Sequence, residues 1–255
     1  MLNLADSHVH LNDPAFDEDR DEVVARACLA GVDTLIVPSV DAASWPVIAA
    51  LCERHPALHP AWGLHPVFLP HHVPANVQAL SSLLNSNRPV AVGEIGLDFH
   101  RADLDADVQR HYFVRQLELA REHDLPVILH ARKALDEVIH TLRRHHGVRG
   151  VVHSFSGSEQ QARQLWEMGF HLGIGGPVTY ERAQRLRRVV AAMPLEWLLL
   201  ESDAPDQPDS SNRGERNEPA RLVEILRCVA SLRGESLEQV ANATRRNTRC
   251  LFGLA

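Results

Sequence analysis

The sequence predicts one closed barrel of eight parallel strands and eight covering helices, a (β/α)8 TIM-type barrel, and three observations carry that reading. Short, almost wholly apolar runs alternate with longer amphipathic runs along the whole chain. The chain has 255 residues, close to the ~250 of one such barrel. Metal-binding residue types stand where five of the apolar runs end: His8 and His10, then Glu94, His130, His153 and Asp203. A barrel brings the ends of all its strands to one shared floor, so this placement has a common explanation.

Taken in order, a strand over Leu4–Leu11 is followed by a helix over Asp17–Ala30, Thr34–Val40 by Ala42–Arg54, and His59–His65 by Ala75–Asn85. Val90–Leu97 is followed by Asp105–His123, Val127–His130 by Ala134–His145, and Val151–Ser154 by Glu159–Met168. His171–Gly175 leads to Glu181–Ala192, and Trp197–Ser202 to Pro219–Leu232. A last helix begins at Leu237 with Ser236 as its N-cap. Gly31, Gly147 and Gly169 follow helical runs, where a left-handed cap is needed. Strands this apolar belong to a parallel sheet covered on both faces, joined by right-handed crossovers. An open sheet would more often show a Gly-rich phosphate loop after its first strand, and this chain has none. With no repeat, low-complexity tract or linker, residues 1–255 read as a single barrel domain. The longest irregular segment, Asp203–Glu218, follows the eighth strand and so falls at the mouth.

Composition narrows the function classes. A hydrophobic fraction of 45% and a charged fraction of 23% fit a globular protein with a sizeable core. The net charge of −7 argues against a protein that coats duplex DNA through a basic surface. It leaves a nucleic-acid enzyme open, because a metal and a few arginines supply local positive charge. The cysteines, Cys28, Cys52, Cys228 and Cys250, lie in helix-like stretches without C-x-x-C spacing and read as packed, reduced thiols. No signal peptide or membrane-spanning run is evident, so a soluble cytoplasmic protein without membrane attachment or an obligate protein partner is expected.

His8 and His10 are two apart on a strand, so both imidazoles project to one side. In a chain with 16 histidines this spacing alone is weak, and a polar pair at a strand end is the plainer reading. Position changes that, since His130, His153 and Asp203 end three further strands. The histidines of loops and helices, such as His55, His71, His72 and His145, read as solvated side chains. Glu94 read alone is an ion pair with some neighbouring arginine. Two divalent ions ~3.5–4 Å apart, however, need a shared anionic group. The sole lysine, Lys133, comes three residues after His130, too late for a carboxylated bridge, so Glu94 takes that place.

At this point the chain resembles the TatD family of metal-dependent hydrolases, within the amidohydrolase-like barrels. The matching segments are Asp6-Ser7-His8-Val9-His10-Leu11-Asn12, Gly93-Glu94-Ile95-Gly96-Leu97-Asp98 and Pro126-Val127-Ile128-Leu129-His130-Ala131-Arg132. They continue in His153-Ser154-Phe155-Ser156-Gly157, Leu199-Leu200-Glu201-Ser202-Asp203-Ala204-Pro205 and Arg216-Asn217-Glu218-Pro219. The resemblance implies metal ligands at His8, His10, Glu94, His130, His153 and Asp203, and a deoxyribonuclease that trims single strands from an end. Ser202 replaces the family's usual threonine and Ala5 its usual large apolar residue, while residues 206–215 match no family motif and leave substrate choice open.

The expected chemistry is hydrolysis with Zn, Mn, Mg or Fe, two ions per chain, since a divalent ion lowers the pKa of water toward ~7. Mixed His/carboxylate ligation suits Zn, Mn or Fe better than Mg alone. Asp203 and Glu94 are the catalytic carboxylates, with Asp203 the acceptor of the water's proton. Asp6 and Glu201 share strand faces with ligands and suit orienting roles or, equally, a buried polar pair. For a phosphodiester, Arg132 and His65 at strand ends, and Arg216 and Asn217 beside a helix N-terminus, are the candidate substrate contacts. DNA is the expected partner, held weakly because few aromatics are available for stacking. Two rivals share the barrel: a hydrolase of small ester, amide or aminoacyl-ester substrates, and a barrel that binds metal only as structure.

Overall fold

The computed structural model describes residues 2–86 and 89–254. Its strands are β1 (Leu4–Asp6), β2 (Val32–Pro38), β3 (Leu58–Trp62), β4 (Ala91–Asp98), β5 (Val127–Arg132), β6 (Gly150–Val152), β7 (Phe170–Ile174) and β8 (Leu198–Leu200). Each pairs in parallel with the next, in chain order. The two outer strands meet as well: Ser7 N–H donates to the Leu200 carbonyl at 2.9 Å and Asp203 N–H to the His8 carbonyl at 2.9 Å. The expected barrel is therefore the fold, with a short seam between β8 and β1.

The helices are α1 (Arg20–Leu29), α2 (Ser44–Arg54), α3 (Ala75–Ser86), α4 (Ala106–Glu122), α5 (Leu135–Arg144), α6 (Glu159–Glu167), α7 (Gln184–Ala192), α8 (Leu222–Arg233) and α9 (Leu237–Leu251). Their ends follow local chemistry. Asp105 accepts the N–H groups of Asp107 and Val108, Ser158 and Gln161 form a reciprocal capping box, and Ser236 accepts Gln239 N–H. Gly31, Gly147 and Gly169 do adopt the left-handed cap, at φ 92°, 85° and 87°. Helices α1, α7 and α8 start about three residues later than the sequence predicts, each after a short 3-10 turn.

Side chains on the strands alternate between two apolar cores. Ile36, Ala61, Ala91, Ile128, Val151 and Leu199 fill the barrel interior, closed from below by Leu251 and Phe252 of the C-terminal helix. Leu35, Val37, Val127, Leu129, Val152, Leu198 and Leu200 point outward under the helices. This double burial is why the strands read as unbroken apolar runs. It also sets the site, because His130 and His153 continue the inward rows of Ile128 and Val151.

Several strands are shorter than expected. His8, His10, His65, His153 and Asp203 all lie beyond the last ladder residue of their strands. There the backbone turns to other partners: His65 N–H donates to the Val40 carbonyl at 2.8 Å, and Ser154 and Asp203 take left-handed conformations at φ 48° and 54°. Among the described residues no helix is long and apolar enough to cross a membrane. The four cysteines are free thiols, but Cys28 and Cys250 are exposed rather than packed, because both sit on outward faces of their helices.

Candidate metal centre

The barrel mouth holds a cavity of about 720 Å³, with His10, His65, Glu94, Arg132, His153 and Asp203 among its walls. Glu94 is buried at its base. How Glu94 comes to face inward is a matter of register. The β4–β5 pairing shifts between Val92 and Ile95. In an unbroken strand Glu94 would share the outward face of Val92, and the irregularity turns it into the cavity.

Each oxygen of Glu94 serves a different group. Oε2 lies 3.2 Å from His8 Nε2 and 3.6 Å from His10 Nε2. Those two nitrogens are 3.1 Å apart, and Asp203 Oδ1 stands 3.6 and 3.7 Å from them. Oε1 lies 2.8 Å from His153 Nε2, 3.0 Å from His130 Nδ1 and 3.1 Å from His65 Nε2. Potential ligands form three overlapping sets: Glu94 with His8 and His153, Glu94 with His65 and His130, and His8 with His10 and Asp203.

The surrounding shell fixes how these rings present themselves. Asp98 Oδ2 lies 3.0 Å from His130 Nε2, so that nitrogen carries the proton and Nδ1 offers its lone pair inward. His65 has the opposite arrangement. Val67 N–H donates to His65 Nδ1 at 3.1 Å, which leaves the proton of the neutral ring on Nε2, the atom facing Glu94. Burial pulls His65 down to about 4, so the neutral ring prevails at pH 7. His65 is thus a hydrogen-bond donor into the cavity rather than a lone-pair donor. Asp6 Oδ1 accepts N–H bonds from His8 at 3.2 Å and Ser202 at 2.9 Å, tying the two seam segments together. Glu201 accepts from Ser154 N–H and Ser7 Oγ, and a Cβ at Gly173 would stand 2.0 Å from its Oε2. Gln207 Nε2 donates to Asp203 Oδ2, and the Gln207 amide also contacts Ser154 Oγ.

Electrostatics in the cavity are unusual. Burial raises the Glu94 carboxyl, but the imidazoles of His153, His65 and His8 outweigh it and hold Glu94 well below the carboxylate range. Burial lowers His153, yet Glu94, Asp203 and Glu201 carry it up to about 10. Asp6 and Glu201 are pushed up by burial to about 7 and about 8, and Asp203 also rises chiefly through burial. Among the described residues no arginine or lysine forms an ion pair with any of these four acids. Imidazoles, His153 foremost, offset the burial of Glu94, Asp203 and Glu201. The buried Nδ1 atoms of His8, His10 and His153 have no hydrogen-bond partner, so no hydrogen bond holds those nitrogens to one protonation state. Converging ring nitrogens and carboxylate oxygens, with no arginine or lysine paired to them among the described residues, suit divalent ions of the Zn, Mn or Fe type.

The candidate substrate contacts divide. His65 and Arg132 line the cavity, and the Arg132 guanidinium makes no ion-pair contact among the described residues, though its charge helps to lower the Asp98 carboxyl. The structure does not bring Arg216 and Asn217 there. Both terminal nitrogens of Arg216 close on Asp19 at 2.7 Å, and its guanidinium lies over Phe16, 4.8 Å from the ring centre. Asn217 is buried and donates to the carbonyls of Ser202 and Asp206, both at 2.8 Å. These residues hold the loop after β8, because the acidic β1–α1 connection offers Arg216 a nearer anion than any in the cavity. Sequence reasoning missed Asp98 and Gln207. Asp98 had a signal, as Glu94, Gly96 and Asp98 alternate toward one face. Gln207 had none, lying where no motif matches.

Comparison with known proteins agrees with this geometry. The family model for TatD-related DNases matches residues 5–253. The metal-dependent hydrolase YjjV of Escherichia coli is 41% identical over 258 aligned residues, covering 100% of this chain and 99% of YjjV. Its crystal structure superposes with a TM-score of 0.95, covering 99% of this chain and 98% of that one. The protein named 3'-5' ssDNA/RNA exonuclease TatD of Klebsiella pneumoniae is 36% identical, with 98% of each chain covered.

Proposed function

The chain belongs to the family of TatD-related DNases and is a metal-dependent hydrolase, and from that premise we propose that it hydrolyses phosphodiester bonds of single-stranded DNA. The observation that carries this reading is Glu94, a buried carboxylate whose two oxygens serve two separate ligand groups. In this reading His8, His10 and Asp203 would hold one divalent ion and His130 and His153 a second, with Glu94 offering one oxygen to each. Such ions polarise a phosphoryl oxygen and lower the pKa of water toward ~7.

The chain's own residues do the rest. Asp203 faces His8 and His10 with Oδ1, which leaves Oδ2, steadied by Gln207, to accept the proton of the attacking water. His65 donates its Nε2 proton to a phosphate oxygen. Arg132 presents at the cavity wall a fork whose geometry matches a phosphate. Named relatives that act on single-stranded nucleic acid from the 3' end favour this substrate over a small ester. A closed barrel mouth also receives a strand terminus more readily than a continuous duplex.

Purified protein with Mn²⁺, Mg²⁺ or Zn²⁺, given end-labelled single-stranded DNA beside a panel of small esters and amides, tests the assignment. DNA should be shortened from one end. Turnover of the esters without any of DNA would reassign the substrate and keep the centre. Asp203→Asn should reduce DNA turnover by about a thousandfold or more, in the range of a lost general base plus a lost ligand, while retaining measurable Mn²⁺ binding by calorimetry. Turnover that survives the substitution removes Asp203 from the role of base.

A further inference from the structure

We infer that a single-stranded polynucleotide leaves the candidate site over the β5–β7 side of the mouth, its phosphates passing Arg132, Lys133, Arg182 and Arg185. The inference rests on the phosphodiesterase reading above and adds a direction to it.

The starting point is which cations of this acidic chain are committed. Over much of the surface, arginines close on carboxylates, as in Arg26–Glu218, Arg110–Glu137 and Arg245–Asp33. Among the described residues, Arg132, Lys133, Arg182 and Arg185 form no ion pair. Others such as Arg143, Arg144 and Arg213 share that, but these four stand together on one side of the mouth, at the end of β5 and after β7, with β6 between. Arg132 lines the cavity and exposed Lys133 comes next in the chain, at the end of β5. Arg185 donates to the Ser156 carbonyl at 2.7 Å, and Ser156 belongs to the cavity wall after β6. Arg182 lies over the Tyr180 ring at 5.4 Å, on the segment after β7. The residues from Glu181 to Arg188 hold one acid and four arginines.

The opposite side of the mouth has the opposite sign. Asp13 and Asp206 line the cavity there with no arginine paired to their carboxylates among the described residues. Glu18 follows on the β1–α1 connection, where Asp17 and Asp19 are closed on by Arg20, Arg26 and Arg216. A polyanion whose end sits at Glu94 is repelled by that half and attracted by the other. Helix α7 itself gives no reason for positive charge at Arg182 and Arg185. They stand just before and within its first turn, where the helix dipole disfavours positive charge, and no acidic residue occupies that turn.

The test is the double variant Lys133→Glu/Arg182→Glu, which touches neither the candidate metal ligands nor the cavity's hydrogen bonds. Binding is followed by fluorescence anisotropy of a labelled oligothymidylate long enough to overhang the mouth. Hydrolysis of thymidylyl-thymidine, too short to reach the rim, reports the centre itself. Affinity for the long strand should fall roughly tenfold or more, as two reversed phosphate contacts imply, and the salt slope should drop by about 1.4. Thymidylyl-thymidine turnover and thermal stability should match the wild type. Arg143→Glu/Arg144→Glu, an equal charge change at the far end of α5, should leave strand affinity unaltered.

Equal loss in both double variants would mean net charge rather than a path, and overturns the inference. So would wild-type affinity in Lys133→Glu/Arg182→Glu, a larger loss in Arg213→Glu on the β8–α8 loop, or a wild type that does not bind the long strand. Selective loss of binding in a protein that hydrolyses neither DNA nor thymidylyl-thymidine upholds the path and removes the phosphodiesterase reading instead.

Discussion

Asp98 decides which nitrogen of His130 looks into the cavity. Its Oδ2 holds the Nε2 proton at 3.0 Å, while Oδ1 is occupied by His100 N–H at 2.9 Å, so the carboxylate cannot swing away. Asparagine keeps the shape, but its amide can donate to Nε2 and so favour the tautomer that takes the lone pair out of the cavity. Asp98→Asn should therefore lower metal affinity about 10–100-fold, the usual cost of losing such a partner, with little change in folding. Calorimetric titration with Mn²⁺ reads this directly, and wild-type affinity in the variant would falsify the orienting role. Asp98 shows where residue-level legibility stops. The ligand types at strand ends were readable because position and chemistry coincide there. Alternation from Glu94 puts Asp98 on the same face, but does not say which group on that face it meets. Arg216 erred in the other direction: its motif places it near the mouth, but only the fold shows that Asp19 takes both its terminal nitrogens.

At the scale of elements, the loop from β8 to α8 is held by an ion pair in addition to Arg216 and Asn217. Arg221 grips Asp209 through two bonds, Nε to Oδ2 at 2.7 Å and Nη2 to Oδ1 at 2.9 Å. Burial raises the Asp209 carboxyl, but the bonds from Arg221 and Ser211 outweigh it and hold it below the usual range. A carboxyl depressed in the folded state stabilises the protein fully above its unfolded pKa of ~3.9 and progressively less as pH falls through the folded value. Asp209→Asn should thus cost about 1–3 kcal/mol near pH 7, and the difference from wild type should shrink in acid. Urea unfolding of both proteins at several pH values measures it; a difference that grows below pH ~4 would contradict the pairing. The pair also bears on the site, since the same loop carries Gln207 to Asp203. None of this was visible in residues 206–215, because loop structure comes from scattered side-chain contacts, whereas the strands announce themselves by composition. The β4 irregularity is a further case. Alternation along Ala91–Asp98 places Glu94 with Val92, and only the shifted pairing with β5 turns it inward.

For the whole molecule, the barrel gathers the candidate ligands at one rim. Residues from β1, β4, β5, β6 and β8 converge because eight strand ends share one rim, and the cost of gathering buried acids falls on the folded state alone. An ion that binds this state and not the unfolded chain adds stability by mass action, ~2.7 kcal/mol at a hundred times its dissociation constant. For a protein of this size each kcal/mol moves the melting temperature by about 2–4 °C, so saturating one ion should raise it by roughly 5–10 °C over a chelated sample. Two independent ions would add their shifts. Glu94→Gln should lose most of the gain, since Glu94 contacts both ligand groups. His8→Ala should leave the portion belonging to His130 and His153. Differential scanning calorimetry of the three proteins, with chelator and with Mn²⁺, separates these outcomes. If His8→Ala removes the whole shift, the two groups hold a single ion and Glu94 is no bridge.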